Sequence, residues 1–231
     1  MARRCLLYYL TDRTQFPGDE SARRRALLAK IAEAARAGVD YIQLREKDWS
    51  ARELERLATE AARIIREERA ATGEQQSATR LLINSRTDVA MAAGAAGVHL
   101  RSDDVPASTA RSIWGEVIAR IPQTNSQLVT RGSVIAVSCH TTAEVLHAES
   151  EGADFVVFAP VFQKKDAPDT PPRGLSALRV ACAAKILVLA LGGVTLENAG
   201  SCLAAGATGI AGIRLFQENK IEDVARTLRA P

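Results

Sequence analysis

The stretch Ala37-Gly38-Val39-Asp40-Tyr41-Ile42-Gln43-Leu44-Arg45-Glu46-Lys47 decides the fold, because a helix end, a short apolar strand and a charged strand end follow one another. A helix often ends on a glycine at positive φ, as Ala37-Gly38 predicts. The apolar run after it is typical of a buried parallel strand. Arg45 and Lys47 then suit an anion such as phosphate, although a salt-bridged strand end is the alternative interpretation.

The same pattern recurs three more times. Gly97, Gly152 and Gly206 each stand between a helical stretch and an apolar run, and counting from Gly38 the intervals are 59, 55 and 54 residues. We expect each glycine to end a helix at positive φ. An interval of about 55 residues holds two βα units, so the pattern predicts eight strands alternating with helices. The predicted fold is a single (β/α)8 TIM barrel spanning residues 1–231, whereas an open doubly wound sheet is disfavoured because no early GxGxxG is present.

The remaining strands are predicted at 6–10, 81–84, 134–138 and 186–190. Two polar insertions, 71–78 and 122–132, lengthen connections before strands, and we expect them on the side opposite the active site. The predicted helices span about 21–37, 50–71, 86–94, 107–121, 142–151, 174–184, 195–205 and 220–229.

Composition narrows the functional class. The net charge is only +3, with 30 basic and 27 acidic residues. Basic residues are dispersed except for short runs such as Arg23-Arg24-Arg25, which lacks interleaved aromatics, and this argues against a nucleic-acid partner. Four scattered cysteines lack metal-ligand spacing and are expected to be reduced. No continuous apolar run approaches 18 residues, so we expect a cytoplasmic protein without a membrane span or signal segment. The sequence does not determine the oligomeric state, and a homo-oligomer is one possibility.

In a barrel of this kind the site lies at the carboxyl ends of the strands. Gly192-Gly193 after strand seven and Ile213-Arg214 after strand eight occupy the usual place for a phosphate, because glycines let backbone N–H groups approach an anion. Asp103 and Asp104 after strand four could hold Mg²⁺, or could serve as an N-cap for a helix beginning near Pro106.

Three histidines have different predicted roles. His140, after strand five, is a candidate general acid or base near neutral pH. His99 lies within an apolar run and is predicted to be structural. His147, on a predicted helix, is expected to face solvent.

Motifs along nearly the whole chain resemble those of thiamine phosphate synthase and its paralogue, the thiazole tautomerase. The most specific motif is Gln43-Leu44-Arg45-Glu46-Lys47. The others are Tyr9-Leu10-Thr11-Asp12, Leu82-Ile83-Asn84, Gly97-Val98-His99-Leu100, Ser138-Cys139-His140-Thr141, Gly152-Ala153-Asp154 and Leu191-Gly192-Gly193.

The resemblance to the synthase implies small-molecule phosphate substrates: a pyrimidine diphosphate is joined to a thiazole phosphate, and pyrophosphate leaves with Mg²⁺ assistance. It implies that the metal ligand is Asp104, with Asp103 beside it, and that Lys47 and Ser138 are candidate catalytic residues. His140 is the third catalytic candidate, as the acid/base that the tautomerase would use. The implied residues for the pyrimidine diphosphate are Gln43, Arg45, Lys47, Asn84 and Ser138, with one of Lys164 and Lys165. Those for the thiazole phosphate are Gly192, Gly193, Ile213 and Arg214.

Three departures from the family pattern weaken the metal and phosphate sites. Ser85 stands where a second Mg²⁺ aspartate is expected, and a hydroxyl cannot supply that charge. Arg101-Ser102 replaces a Gly-Gln pair, and a threonine-rich loop is shortened to 162–166.

Two alternatives therefore stay open beside the synthase. The tautomerase would need neither pyrophosphate nor a metal, and would use His140 as its acid/base. A non-catalytic paralogue that binds thiazole or thiamine phosphates is the other.

Overall fold

Eight parallel strands close into a barrel in chain order, with β1 hydrogen-bonded to β8, in a computed structural model that describes residues 4–72, 79–120, 133–165 and 168–230. This confirms the predicted (β/α)8 architecture. The strands are β1 (Leu6–Leu10), β2 (Tyr41–Leu44), β3 (Arg80–Asn84), β4 (Gly97–Leu100), β5 (Val134–Cys139), β6 (Phe155–Phe158), β7 (Leu187–Ala190) and β8 (Gly209–Gly212).

The helices surround the barrel; the first seven connect successive strands, and the last two follow β8. They are α1 (Glu20–Arg36), α2 (Ala51–Thr72), α3 (Thr87–Ala92), α4 (Ala107–Arg120), α5 (Thr142–Ser150), α6 (Gly174–Ala181), α7 (Ala199–Ala204), α8 (Arg214–Gln217) and α9 (Ile221–Arg229). The predicted insertions fall largely in 73–78 and 121–132, outside the described residues, so the expectation about their side of the barrel stays a prediction.

Successive side chains along each strand point to opposite faces of the sheet, and this divides the core into two layers. One set of side chains packs between the sheet and the helices. The other fills the barrel interior, where the rings of Tyr8, Tyr41 and Phe155 pack with centroids 4.7 to 5.9 Å apart. This aromatic layer forms the floor beneath the polar side chains at the carboxyl ends of the strands.

The prediction for Gly97 is wrong. Gly38, Gly152 and Gly206 have positive φ as predicted, but after α3 it is Gly94 that takes this conformation, with φ of +64°. Gly97 instead begins β4, where an added Cβ would lie 1.9 Å from the Val134 carbonyl oxygen. It is therefore a close-approach glycine between neighbouring strands.

The seventh helix begins later than predicted, and two short elements were not predicted. Asn198 closes a turn before α7, because its side chain accepts from the N–H of Thr195 and donates to the Gly193 carbonyl. The additional elements are a 3-10 turn at Arg13–Gln15 and the four-residue α8. Of the helices within the described ranges, none is both long and apolar enough to cross a membrane.

Candidate active site

Inward-facing positions change from aromatic to polar towards the carboxyl ends of the strands. On β2, Tyr41 belongs to the aromatic floor, and period-two alternation puts Gln43 on the same face one step further along. The same alternation brings Asn84, His99 and Ser138 to this level from β3, β4 and β5. Four predicted site or core residues thus form one polar layer.

The Gln43 side chain is buried in this layer, with 1% of its surface exposed. Its Nε2 donates to Oδ1 of Asn84 at 3.0 Å, and Nδ2 of Asn84 donates to the hydroxyl of Ser85 at 3.2 Å. Within the described part of the chain, Oε1 of Gln43 has no hydrogen-bond partner. Because buried polar atoms normally have partners, this acceptor is available to a ligand donor.

His99 connects the barrel floor to the candidate catalytic residue Ser138. Its Nδ1 lies 2.8 Å from the Tyr8 hydroxyl, and its Nε2 lies 2.7 Å from Oγ of Ser138. Burial lowers the pKa of His99 to about 3, with a further lowering by Arg45 and an opposing effect of Asp104. The imidazole is therefore neutral at ordinary pH, so one ring nitrogen donates and the other accepts.

A buried ion-pair network holds the loop after β2. The carboxylate of Glu46 accepts from Nη1 of Arg13 at 3.0 Å and from the Thr11 hydroxyl at 2.7 Å. Arg13 also binds both carboxylate oxygens of Asp48 at 2.7 Å, and its guanidinium lies 4.5 Å from the Trp49 ring centroid. Arg13 is 3% exposed. The acidic residues of this loop are thereby held on the Arg13 side.

The same network fixes the backbone between the two cations of the loop. The N–H of Arg45 donates to the Thr11 hydroxyl at 3.0 Å, and that hydroxyl in turn donates to Glu46. Arg45 is half-buried and Lys47 is exposed on either side of the buried Glu46. The loop therefore alternates between anchored acidic residues and cations at the barrel mouth.

Lys47 lies among positive charges from several strand ends. Its pKa is lowered from the ordinary value, first by the charge of Arg45 and then by partial burial. Arg101 and Lys164 lower it further, while Asp12 acts in the opposite direction. Loops after β2, β4 and β6 thus bring cations within electrostatic range of one another, an arrangement that suits a polyanion.

The two lysines of the loop after β6 differ in burial. Lys164 is half-buried, and its Cε lies 3.4 Å from where a Cβ on Gly192 would sit, whereas Lys165 is exposed. Lys164 is therefore the lysine beside the glycine turn. The following residues, 166–167, lie outside the described ranges.

The glycine pair after β7 lies directly against the β6 loop. Gly192 and Gly193 have φ of +94° and +65°, and a Cβ on them would lie 2.7 Å from Pro160 Cα and 2.5 Å from the Gln163 carbonyl oxygen, respectively. Only glycine fits these positions without displacing the backbone. The two glycines thus let the turn pack closely against the β6 loop, and phosphate binding by this turn stays a prediction.

The predicted residues after β8 are half-buried. Ile213 packs on the interior core and precedes α8. Nε of Arg214 lies 3.7 Å from Oε1 of Glu218, one turn along α8. Arg214 is thus paired with a carboxylate in this structure, and its predicted contact with a phosphate stays a prediction.

His140 is held by a backbone contact across to β6. Its Nδ1 lies 2.7 Å from the Ala159 carbonyl oxygen. A carbonyl only accepts, so Nδ1 carries a proton, and the neutral form of the ring then has its lone pair on Nε2. The side chain is half-buried, and in this tautomer Nε2 is the nitrogen that can accept a proton. His147 is exposed, as predicted.

The two aspartates predicted to bind Mg²⁺ are both paired with Arg101. Nε of Arg101 lies 3.3 Å from Oδ1 of Asp103, and Nη2 lies 3.3 Å from Oδ1 of Asp104. The N–H of Arg101 also donates to Oδ2 of Asp104 at 2.7 Å. Because α4 begins at Ala107, its N-cap position is Pro106, so the alternative N-cap role of the aspartates is wrong.

These donors do not fit a preformed Mg²⁺ site. Mg²⁺ prefers several oxygen ligands in near-octahedral geometry. Ser85 offers a hydroxyl at a position with φ of +58°, a conformation in which Asn and Asp are enriched. Across the ranges that the structure describes, no group of three or more His, Cys, Asp or Glu residues is placed to hold a metal ion.

A family model described as thiamine monophosphate synthase matches residues 7–119 and 121–216. The chain belongs to this family. A thiamine-phosphate synthase of Chlorobium luteolum is 36% identical over 206 residues, covering 88% of this chain and 86% of that protein. One of Methanoculleus marisnigri is 36% identical over 226 residues, covering 96% and 93%.

A solved structure supports the same assignment. The thiamine phosphate pyrophosphorylase of Pyrococcus furiosus is 27% identical, with a TM-score of 0.74, and the alignment covers 99% of this chain and 95% of that one. The predicted resemblance to the thiamine monophosphate synthase family is thus confirmed.

Sequence reasoning missed the anchors of this thiamine monophosphate synthase-family site. Arg13 and Glu46 lie 33 residues apart, and their contact depends on barrel closure between β1 and β2. One available signal was Glu46, an acidic residue between the basic Arg45 and Lys47, because its charge requires a cationic partner if it is buried. His99 is buried as predicted, but its bond to Ser138 also connects it to the site.

Proposed function

We propose that this chain is a transferase of thiamine biosynthesis that couples hydroxymethylpyrimidine diphosphate to a thiazole phosphate and releases pyrophosphate. The observation that carries this proposal is the convergence of Arg45, Lys47 and Lys164 at the mouth of the barrel, above the buried acceptor Oε1 of Gln43. A substrate with an amine at one end and a diphosphate at the other matches both features. Such a role is compatible with the predicted cytoplasmic location.

The polar layer supports binding of the aminopyrimidine. An exocyclic amine would donate to Oε1 of Gln43, which needs a donor, and Asn84 holds that amide through Nε2. Ser138 would present its hydroxyl to the ring, held by Nε2 of His99. The buried neutral histidine keeps this layer uncharged, which suits a neutral heterocycle.

The cationic loops support departure of the diphosphate. The bond between the pyrimidine methylene carbon and the diphosphate oxygen breaks, and its electron pair leaves on pyrophosphate. Arg45, Lys47 and Lys164 would stabilise the charge that develops on that oxygen. The thiazole nitrogen then donates its lone pair to the methylene carbon, forming the new C–N bond without a proton transfer.

The glycine turn supports binding of the thiazole phosphate. Gly192 and Gly193 lie beside Lys164, so a phosphate there would be close to the carbon that the thiazole attacks. Ile213 lies on the adjacent strand end and would pack against the thiazole, while Arg214 could contact the phosphate after opening its pair with Glu218.

The experiment is mass-spectrometric detection of thiamine phosphate from the two substrates. Lys164→Ala should lower the rate strongly, whereas Lys165→Ala, one residue away and exposed, should retain it. Wild-type thermal stabilisation by thiazole phosphate without any product would instead support the non-catalytic paralogue.

A thiazole tautomerase is the second candidate, favoured by one observation. The Ala159 carbonyl fixes the proton of His140 on Nδ1, which leaves Nε2 as a proton acceptor. Under this alternative, thiazole phosphate alone would isomerise and exchange a proton with deuterated water. His140→Gln would abolish that exchange while Lys47→Ala would retain it, the opposite of the ranking expected for coupling.

A further inference from the structure

Two departures from the family pattern meet at neighbouring strand ends. Ser85 follows β3 where an aspartate is expected, and Arg101 follows β4 where a glycine is expected. The N–H of Ser85 donates to the His99 carbonyl at 2.9 Å, so these strand ends are directly bonded. One departure removes a negative charge, and the other adds a positive charge at the same edge of the barrel.

Arg101 lies within electrostatic range of Lys47 and is accessible. Its side chain is 59% exposed while it pairs with the less exposed Asp104, at 14%. Its charge lowers the pKa of Lys47, as the charge of Arg45 does. A guanidinium that is mostly exposed can turn from a carboxylate towards an incoming phosphate group, for which its planar donors are well suited.

We propose that Arg101 is a diphosphate-binding residue of this chain and supplies, at the leaving pyrophosphate, positive charge that the family pattern assigns to a bound metal ion. This inference rests on the proposed coupling reaction. As the carbon–oxygen bond breaks, the electron pair stays on the pyrophosphate oxygen, and the guanidinium donates N–H groups to that anion. No proton is transferred, because arginine stays charged throughout.

The inference also predicts weak divalent-metal binding by the free protein. Asp104 already accepts two kinds of donor from Arg101, the backbone N–H and the guanidinium. A cation entering there must displace a charged partner and finds a hydroxyl at Ser85 instead of a second carboxylate. Hydroxyl oxygen is a poor substitute for a charged ligand of Mg²⁺.

The first test is calorimetric titration of the whole protein with inorganic pyrophosphate in EDTA. Wild type should bind, and Arg101→Gln should bind about tenfold or more weakly, the effect of one lost charge-assisted contact. The matched control is Arg111→Gln: Arg111 is also partly exposed and pairs with Asp154 at 2.9 Å, but beside the starts of β5 and β6. It should bind like wild type.

The second test measures Mn²⁺ binding by electron paramagnetic resonance, without substrate. Wild type should bind weakly, and the double variant Ser85→Asp/Arg101→Gly should bind at least tenfold more tightly. Tight Mn²⁺ binding by wild type would overturn the inference. So would pyrophosphate binding that needs Mg²⁺, is absent altogether, or is unchanged in Arg101→Gln.

The outcomes separate this inference from the proposed function. Pyrophosphate binding that depends on Arg101, in a protein that forms no thiamine phosphate, would support the binding role while contradicting coupling. Product formation that is unaffected by Arg101→Gln would support coupling while contradicting the role of Arg101.

Discussion

Oγ of Ser138 lies 2.7 Å from Nε2 of His99. Through His99, this hydrogen bond connects Ser138 in the candidate site to Tyr8 in the barrel floor. Tyr8 is neutral, because burial raises the pKa of its hydroxyl well above the ordinary value. We expect this hydroxyl to donate to Nδ1 of His99. Nε2–H then donates to Ser138, which leaves the serine hydrogen for the substrate.

The first prediction concerns coupling between these residues. Ser138→Ala and His99→Gln should each lower kcat/KM about tenfold, the effect of one hydrogen bond to a bound ligand. If His99 acts through Ser138, the double variant should be no slower than the slower single variant. Fully additive losses in this double-mutant cycle would contradict a positioning role for His99.

The neutrality of His99 extends this first prediction to the pH dependence. Its pKa of about 3 means that the imidazole gains a proton only well below assay pH. The kcat/KM profile between about pH 5 and pH 8 should therefore have the same shape in His99→Gln as in wild type. Disappearance of a wild-type acidic limb in that variant would show that His99 titrates in this range.

The second prediction concerns the clamp formed by Arg13. Arg13→Met should destabilise the fold by about 3–5 kcal/mol, because it leaves the buried Glu46 carboxylate without its guanidinium. It should also raise KM for the pyrimidine diphosphate, because the loop carrying Arg45 and Lys47 loses its anchor. Steady-state kinetics and urea unfolding would measure the two effects.

Arg229→Met is the control for this clamp. Arg229 pairs with the 6%-exposed Asp40 at 2.7 Å, at the opposite end of β2. Its loss should lower the free energy of unfolding and leave KM unchanged. Equal KM increases in both variants would indicate a general effect of destabilisation.

The third prediction uses the lowered pKa of Lys47. Neighbouring cations disfavour its protonated form, so affinity for the diphosphate should fall as pH rises through a pKa below the ordinary value. Arg45→Gln should weaken binding overall yet move this alkaline limb to higher pH. Asp12→Asn should move it to lower pH, because Asp12 raises the pKa of Lys47. Shifts in the same direction would contradict this account.

The fourth prediction concerns the glycine turn. Gly192→Ala would place a methyl group 2.7 Å from Pro160, so KM for the thiazole phosphate should rise at least tenfold. Gly200→Ala, on α7 with nothing within 4 Å of the added Cβ, should leave that KM unchanged. Comparable kinetics for both variants would remove the turn from the phosphate site.

The barrel was predictable because its signals are local. Helix ends, apolar runs and polar strand ends repeat along the chain, and the error at Gly97 arose where a second glycine, Gly94, stood three residues earlier. A local pattern cannot distinguish a glycine that ends a helix from one that lets two strands approach. That difference depends on the neighbouring Val134 backbone.

The positions of the site residues were predictable from the sequence, but their ion-pair partners were not. Strand-end residues such as Gln43 and Lys47 could be placed at the mouth from fold alone. Ion pairs could not, because the bond between Arg13 and Asp48 spans 35 residues and depends on β1 lying beside β2. The pairing of Arg101 with Asp104 was not predictable either, because the sequence does not show whether the two aspartates bind a metal ion or the neighbouring arginine.

The most direct measurement is a time course of thiamine phosphate and pyrophosphate together, from hydroxymethylpyrimidine diphosphate and thiazole phosphate, with Lys47→Ala as the comparison. The account predicts that the two products appear in equal amounts with wild type and that Lys47→Ala is at least about tenfold slower, because a cation facing the leaving group is gone. Folded wild-type protein that forms neither product, while a known synthase does so under the same conditions, would contradict the proposed coupling reaction.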